Sequence, residues 1–571
     1  MKRLGIIFAS GLIVIMYVLG YFANAIIIKN REIVSAEFYI VFGIALIAFV
    51  IIFYFLELLY KKLDENCYHT IEDQDSGIKG SKVKEGVIVY KGHIVKYALI
   101  IFMCWIPYFV LRFPGHVDVD TYWELLEVYG LDALKDHHPF FDTLIFGLFW
   151  EIGDTIGSNI WSVFIYAVVQ SLFTSIAFAA SIVYMIHHGV PDILKRISLG
   201  FVCFFPAIPM MAQSMSKDSL HAWIYVIFYL GFVELIRSEG RILKDIYFDV
   251  IGVIVILLLM LTKKTGIYVV SISLAMSLLC IRNRMRLVVA TMIAVFFYIC
   301  VWCGGILQML EVEPGPSREM MSVPSQQVSA ILRYYGENIA EEEYAILSGV
   351  YYDAKNLGSY YEPTRADSTK ARWREDSDSA KKKNFFRWYF KQWAIRPKIM
   401  LLAIAANSYG VFSVDIDSIG NESFIFLQDN MVSVGNGDGL ENNLAAWSSY
   451  DVPSSIVHEV ISTSYRPIWA KEIVDSFGDV YLGVARILPV MFSKVLYATW
   501  IPLVVLGYSI YKKSIKHFMI CVPVGGLTGM LIVGPIVLPR YMATSLFVIP
   551  LFLAVPWILG TRTNRKNSGR D

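Results

Sequence analysis

Long apolar runs separated by short polar stretches dominate the hydrophobic pattern of the chain. A bilayer core of about 30 Å takes about 20 helical residues to cross. Backbone groups in lipid must be paired within their own segment, so such runs predict membrane-spanning helices. The pattern therefore predicts an all-α polytopic membrane protein with about 12 transmembrane helices. We place the spans at residues 4–28, 37–60, 95–112, 160–187, 197–214, 219–237, 248–262, 265–281, 287–308, 484–510, 516–534 and 541–560.

The distribution of lysine and arginine predicts how these spans are oriented. Basic residues concentrate in the cytoplasmic loops of membrane proteins, and here the seven clusters given below all fall on one side of the predicted topology. That side is therefore expected to be the cytoplasm, and both termini of this multi-pass chain are expected there. The clusters are Lys2–Arg3, Lys61–Lys62, Lys195–Arg196, Arg237 with Arg241, Arg282–Arg286, Lys512–Lys516 and Arg562–Lys566.

The same pattern divides the chain into five parts. Within them, segments 139–156 and 385–412 are apolar but interrupted by polar residues, which favours helices lying along the membrane interface. The parts are two N-terminal spans (1–60), a cytoplasmic linker (61–94), a transmembrane core (95–310) with a long outer loop (113–159), a mostly α extracytoplasmic insertion (311–483), and three last spans with a cytoplasmic tail (484–571).

Composition agrees with the membrane assignment and excludes one class of partner. Hydrophobic residues make up 56% of the chain and charged residues 17%, whereas soluble proteins carry about a quarter charged residues. The net charge is only +1, so nothing indicates nucleic-acid binding. The partner that the composition does predict is the lipid bilayer.

Two carboxylates follow the third predicted span, in the sequence Phe-Pro-Gly-His-Val-Asp-Val-Asp that ends at Asp120. A partly desolvated carboxylate at a membrane surface can act as a general base toward a hydroxyl group. Asp118 and Asp120, two residues apart, could instead share a divalent cation such as Mg²⁺ or Mn²⁺. The competing interpretation is a solvated loop whose aspartate caps a helix.

Two further polar motifs lie on the predicted outer face. His137 and His138 precede Pro139 and could donate hydrogen bonds to a phosphate, although Pro139 is equally typical of an ordinary helix start. Lys217 and Asp218 occupy a tight outer turn, where a charged pair could also simply end two helices in water.

Isolated cations on that outer face are the most informative signal. Lys263 and Lys264 interrupt two apolar runs, and Arg540 with Tyr541 begins the last one, against the usual inside preference for basic residues. Cations there could bind a lipid phosphate. The alternative is that the long side chains only extend to the interface.

The order of these features resembles the GT-C membrane glycosyltransferases, and more narrowly a bacterial family of uncharacterised multi-pass GT-C-like proteins. An acidic outer loop, a following His-Pro motif and a later outer domain carry the resemblance, which spans residues 95–560. The stretches are Phe113–Pro139, Ser216–Asp218, Pro324–Gln327 with Tyr361–Pro363 and Asp367–Lys370, and Gly534–Pro535 with Arg540–Tyr541.

The resemblance implies an enzyme of a bacterial cell membrane that transfers a sugar from a polyprenyl-phosphate donor to a glycan, lipid or protein acceptor on the outer face. Asp118 or Asp120 would be the base or metal ligand, and the motif does not decide between them. Lys263, Lys264 and Arg540 would hold the departing phosphate, whose charge grows in the transition state. His137, His138, Lys217, Asp218 and Tyr541 are further candidates. The alternatives are a transporter or flippase of lipid-linked glycans, or a non-enzymatic envelope-assembly component.

Overall fold

The protein is built almost entirely from helices in the computed structural model, which describes residues 2–69, 83–128, 130, 132–157, 159–414 and 468–560. The all-α polytopic class predicted from the sequence is thereby confirmed. The helices up to the insertion are α1 (Lys2–Phe22), α2 (Ser35–His69), α3 (Val83–Leu111), α4 (Val119–Val128), α5 (Phe140–Ile156), α6 (Asn159–His187), α7 (Asp192–Phe204), α8 (Ala207–Ala212), α9 (Lys217–Arg237), α10 (Ile246–Thr262), α11 (Gly266–Ser277), α12 (Arg284–Phe296) and α13 (Leu307–Met309).

The later helices form the insertion and the last spans. Two-residue strands also join distant loops, and they matter for the site described below. These helices are α14 (Ser322–Tyr335), α15 (Glu341–Ser348), α16 (Asp367–Lys370), α17 (Ser379–Ile395), α18 (Pro397–Asn407), α19 (Tyr409–Phe412), α20 (Ile468–Ile487), α21 (Ile501–Lys512), α22 (Ile515–Val533) and α23 (Ala543–Ile558). The strands are β1 (His116–Val117), β2 (Lys135–Asp136), β3 (Ser214–Met215) and β4 (Glu313–Pro314).

Eight helical segments among the described residues are long and apolar enough to cross a membrane. Each coincides with one of the predicted spans. π-helical turns extend α1 to Ile28 and join α12 to α13. The eight segments are Lys2–Ile28, Ser35–Asn66, Gly92–Leu111, Ile160–His187, Lys217–Arg237, Arg284–Met309, Ile515–Val533 and Pro539–Ile558.

The other four predicted spans are shorter or broken. The segment predicted at 197–214 is interrupted at Pro206, where α7 ends and α8 begins. α10 has 17 residues and α11 has 12. The segment predicted at 484–510 starts inside α20, which stops two residues before Pro489. Proline lacks a backbone donor and restricts the residue before it, which explains both interruptions.

Two helices form the centre of the bundle. Burial within the protein reaches 72% for the apolar window of the span that contains α9 and 83% for the one that contains α23, but only 6% for that of α2. α2 therefore leaves most of its apolar surface for lipid. Lys217 begins α9, and Arg540 lies in the 3₁₀ turn that leads into α23. Two predicted site cations thus meet at one end of the bundle centre, which we call the outer end after the predicted topology.

The first span is fastened to the last part of the chain. α1 packs against α21 so closely that a Cβ atom on Gly5 would collide with the backbone of Gly507 and Tyr511. Asp64 at the end of α2 binds Lys512 and lies 3.3 Å from Lys2 Nζ. Among the described residues, the N-terminal pair of helices is therefore part of the same packed bundle.

The described parts of the insertion, residues 311–414 and 468–483, are mostly helical, and residues 311–414 pack on the outer end. The segment predicted at 139–156 forms the single helix α5. The segment predicted at 385–412 is divided by Pro397 into α17 and α18. Residues 70–82, 415–467 and 561–571, which include parts of the predicted linker, insertion and tail, lie outside the described residues.

Candidate functional site

A short parallel strand pair places the acidic loop against the start of α9. β1 pairs with β3, so that His116 lies opposite Ser214. The Asp118 amide then donates to the Met215 carbonyl oxygen at 3.2 Å, and the Thr121 hydroxyl donates to the same oxygen at 2.8 Å. Segments about a hundred residues apart in sequence are thereby held side by side.

Arg540 joins the carboxylates of both segments. One terminal nitrogen forms a close ion pair with Asp118 Oδ1, and the other lies 3.0 Å from Asp120 Oδ2. The Nε atom of Arg540 lies 3.8 Å from Asp218 Oδ2. The Asp118 side chain is only 3% exposed and that of Arg540 14%, so these charges depend on one another for stabilisation.

Lys217 binds the same oxygen of Asp120 as Arg540 does. Its Nζ atom lies 2.6 Å from Asp120 Oδ2 and 2.6 Å from His138 Nδ1. An ammonium group can only donate, so Nδ1 of His138 accepts and the imidazole is neutral. Burial, and then the charge of Lys217, keep the pKa of His138 well below its usual range.

Asp118 and Asp120 differ in how far their side chains are exposed, and this difference indicates different roles. Asp118 accepts a hydrogen bond from the Asp120 amide at 3.3 Å and caps the start of α4, as the structural alternative predicted. Asp120 is 22% exposed, against 3% for Asp118. Burial opposes ionisation of Asp120, but the positive charge of Lys217 outweighs it and lowers the pKa of Asp120 to about 2. Asp120 is therefore the more accessible of the two carboxylates.

The two lysines between α10 and α11 have different partners. Lys263 Nζ lies 2.5 Å from Asp218 Oδ1 and 5.7 Å from the ring centre of Tyr541. Lys264 instead lies 2.9 Å from Asp136 Oδ2. A Cβ atom on Gly266 would collide with a carbonyl oxygen of α10, so glycine permits the tight turn that presents both lysines.

We call the residues that bear these ion pairs the charged cluster: Asp118, Asp120, Lys217, Asp218, Lys263 and Arg540. Its three anions and three cations balance. The adjacent pair of Lys264 and Asp136 is balanced as well. The cluster is therefore a neutral arrangement in which every cation already has a carboxylate partner, and an anionic ligand must exchange with one of them.

A cavity of about 200 Å³ opens beside the cluster. Its polar end carries Lys217, Asp218, Lys263 and Tyr541. Its remaining wall is mainly apolar and is formed by α9, α11, α22, the loop that follows α22 and the start of α23. A ligand with an anionic head and an apolar tail matches this division.

His137 and the insertion complete the surroundings. The His137 ring centre lies 4.5 Å from that of His138. His137 also lies in the field of Glu319 and Lys370, both from the insertion. β2 and β4 pair in parallel and join residues 135–136 to 313–314, where the insertion begins. A Cβ on Gly315 would collide with the Asp136 carbonyl oxygen and the Lys264 ammonium.

The remaining stretches of the GT-C resemblance meet around one buried glutamine. Gln326 Nε2 donates to the Glu362 carbonyl oxygen at 2.6 Å and to Asn407 Oδ1 at 3.3 Å, and its Oε1 accepts from Thr369 at 3.1 Å. Asn407 in turn donates to the Gly534 carbonyl oxygen at 2.9 Å. This network fastens the insertion to the loop that carries Arg540.

The carboxylates do not fit a divalent metal ion. In the part of the chain that the structure describes, there is no group of three His, Cys, Asp or Glu side chains placed to hold one. Both Asp118 and Asp120 are occupied by cationic side chains, whereas magnesium and calcium need free carboxylate oxygens. The arrangement is instead one of ion pairs.

Two buried carboxyl groups were not predicted as site residues. Glu124 is 1% exposed and Asp142 is 0% exposed, and neither has a hydrogen-bond partner among the described residues. Burial raises the pKa of each well above its usual range, and Glu124 raises the pKa of Asp142 further. Glu124 follows Asp120 by one helical turn, which is the signal that could have revealed it.

Replacing Arg540 by glutamine should destabilise the protein by about 3–5 kcal/mol, because it leaves the buried Asp118 carboxylate without a cation. Thermal unfolding in detergent measures this loss. In a double-mutant cycle, Asp118→Asn should recover part of it, while the exposed Arg282→Gln should change little. An unchanged melting temperature for Arg540→Gln would contradict the buried ion pair.

Replacing Glu124 by glutamine should raise stability at neutral pH. Since the folded pKa is raised above the ordinary 4.5, the unfolded chain releases its proton first, and stability falls as the pH rises above that value. Glu124→Gln should lose this dependence of stability on pH and should match the wild type near pH 4. Melting temperatures measured from about pH 4 to neutral pH provide the test, with the exposed Glu342→Gln as control. Equal slopes for wild type and variant would argue against a neutral Glu124.

Comparison with known proteins yields one family. A profile of DUF6020, described as a family of unknown function, matches residues 130–570. No curated protein and no solved structure matches the chain. Since the matched region covers α5 to α23, including Lys217, Lys263 and Arg540, and well over half of the sequence, the protein belongs to the DUF6020 family.

Proposed function

We propose that this protein is a membrane glycosyltransferase of the GT-C type, which transfers a sugar from a polyprenyl-phosphate donor to a cell-envelope acceptor. The observation that carries the proposal is the meeting of the charged cluster with a largely apolar cavity at one end of the bundle centre. The proposal includes the topology from the sequence: about 12 transmembrane helices, both termini in the cytoplasm of a bacterium, and the site on the outer face.

The cavity supports a lipid-phosphate donor. The phosphate would lie at the polar end, near Lys217, Lys263 and Arg540, and the isoprenoid tail would follow the apolar wall into the bilayer. Negative charge grows on the phosphate as the sugar–oxygen bond breaks. Fixed cations at that position stabilise the transition state more than the ground state.

Asp120 is the proposed general base. It accepts the proton of the acceptor hydroxyl while that oxygen attacks the anomeric carbon, and the lipid phosphate departs with the bonding electrons. The result is inversion at the anomeric carbon. Asp118 positions Arg540 and caps α4, since its side chain is almost fully buried.

The neutral cluster couples donor binding to the strength of this base. With a pKa of about 2, Asp120 is a weak base while Lys217 and Arg540 hold it. A bound phosphate competes for the same two cations. Losing them raises the pKa of the carboxylate, so that Asp120 becomes an effective base only when the donor is present.

The positions of the charges favour this enzyme over a transporter. Transporters concentrate ionisable residues near the middle of their spans. Here Lys217 begins α9, Lys263 directly follows α10, and Arg540 precedes α23. A purely structural assembly component would not need these buried ion pairs beside a cavity.

Replacing Asp120 by asparagine should reduce transfer by about 10²–10⁴-fold while the protein still inserts, because the general base is lost. Membranes supplied with radiolabelled polyprenyl-phosphate sugar provide the assay. Asp132→Asn is the matched control, because Asp132 lies in the same loop and pairs with Lys135 at 2.6 Å. If Asp120→Asn transfers sugar as fast as the wild type, Asp120 is not the general base.

The pH dependence of turnover should reveal the coupling. The acidic limb of kcat/KM reports the free enzyme and that of kcat the loaded enzyme. Since the donor withdraws two cations from Asp120, the limb of kcat should lie at higher pH. In Lys217→Gln the limb of kcat/KM should move upward and the donor KM should rise. If the acidic limbs of kcat and kcat/KM coincide in the wild type, the donor phosphate does not draw Lys217 and Arg540 away from Asp120.

A further inference from the structure

A basic and apolar stripe on α17 has no partner within the described protein. The buried side of this helix, which includes Phe385, Trp388 and Tyr389, packs into the core of the insertion. The opposite side is exposed at positions three and four residues apart, which is one face of a helix. We call this exposed set the α17 stripe: Lys383, Arg387, Phe390, Lys391, Ala394, Ile395 and, just past the helix, Lys398.

The charge of the stripe is uncompensated. Lys383, Arg387, Lys391 and Lys398 form no ion pair with a carboxylate among the described residues. This contrasts with Lys381 at the start of the helix, whose Nζ lies 3.3 Å from Asp378 Oδ2. Cations on the predicted outer side run against the usual distribution of basic residues in membrane proteins, so their accumulation on one face calls for an anionic partner.

The apolar members of the stripe narrow the choice of partner. Phe390 is 65% exposed and Ile395 51%, and Leu401 on the next helix is 45% exposed. A water-soluble polyanion gives no reason for these side chains to be exposed. An interfacial helix, by contrast, places basic residues at the headgroups and aromatic or aliphatic residues at the upper acyl chains.

The neighbouring helix locates the stripe at the membrane surface. α18 packs against the π-helical end of the first span, Ala23–Ile28. Tyr334 of the insertion donates a hydrogen bond to the Ile27 carbonyl oxygen at 3.4 Å. α19 reaches Gly20, further into that span, where Phe412 Cβ would touch an added methyl group. α18 thus runs beside the last turns of a span, and only Arg396 separates the end of α17 from the start of α18.

We propose that the α17 stripe rests on the outer leaflet and binds anionic lipid headgroups, with Phe390, Ile395 and Leu401 inserted among the upper acyl chains. The inference is independent of the proposed transfer reaction. Its occupant is the bilayer surface itself. Each basic residue near an anionic surface contributes favourably, and the attraction weakens as salt is raised.

Hydrogen exchange on the full chain in nanodiscs tests the proposal. Discs of phosphatidylcholine alone are compared with discs of equal parts phosphatidylcholine and phosphatidylglycerol. Amide exchange across the second half of α17 should be slowed about tenfold further in the anionic discs. Added salt should reverse this difference.

Two variants separate charge from insertion. Lys383→Gln/Arg387→Gln/Lys391→Gln should lose the effect of phosphatidylglycerol. Phe390→Ser/Ile395→Ser should lose protection in both kinds of disc. The matched control, Arg333→Gln/Lys355→Gln/Arg374→Gln, removes the same charge elsewhere on the insertion and should behave as the wild type.

Two outcomes would overturn the proposal. In the first, exchange across α17 is identical in both kinds of disc and in all variants. In the second, the helix is protected by soluble polyphosphate in phosphatidylcholine discs but not by phosphatidylglycerol, which would assign the stripe to an anionic polymer instead. Neither outcome bears on sugar transfer, which is measured separately.

Discussion

The buried contact between Arg540 and the aspartates is the interaction on which the outer end of this bundle depends. A guanidinium and a carboxylate withdrawn from water are each costly unless they meet. Asp118 comes from the loop before α4, Asp218 from the start of α9 and Arg540 from the turn before α23. Satisfying all three charges therefore requires these segments to converge. The β1–β3 pair and the tight turn at Gly266 are local means to that arrangement.

Neutrality gives the cluster a chemical character that its residue types alone would not suggest. A row of free cations would bind many anions, including those of the bulk lipid. Here every cation already has a carboxylate partner. The net binding free energy of an anionic ligand is therefore its own interaction with the cations minus that of the ion pairs it replaces. Such a site favours a phosphate placed by additional contacts, such as an apolar tail in the adjacent cavity. Discrimination among anions would then come from the fit of the whole ligand.

The sequence predicted the eight long spans and indicated all six residues of the charged cluster as candidates, because the length of an apolar run and basic residues on the outer side can be read directly from a sequence. It could not decide between Asp118 and Asp120, since capping and burial depend on the neighbouring segments. Glu124 and Asp142 were missed for a similar reason: the sequence does not show whether an acidic side chain is buried and neutral or solvated and charged. Interruptions at Pro206 and Pro489 were underestimated, because hydropathy measures length and not helix continuity. The transferase assignment itself stays a prediction.

The hydrogen bonds from the insertion to the loop before Arg540 give the two parts of the protein a mechanical connection. The Ala366 amide donates to the Pro535 carbonyl oxygen at 2.8 Å, and the Asn407 side chain donates to the Gly534 carbonyl oxygen at 2.9 Å. Both acceptors lie within six residues of Arg540. A small rotation of the insertion would therefore displace the loop that carries Arg540. A change in how the insertion binds at the membrane surface would then alter the ion pairs of the charged cluster, without any large movement of the spans.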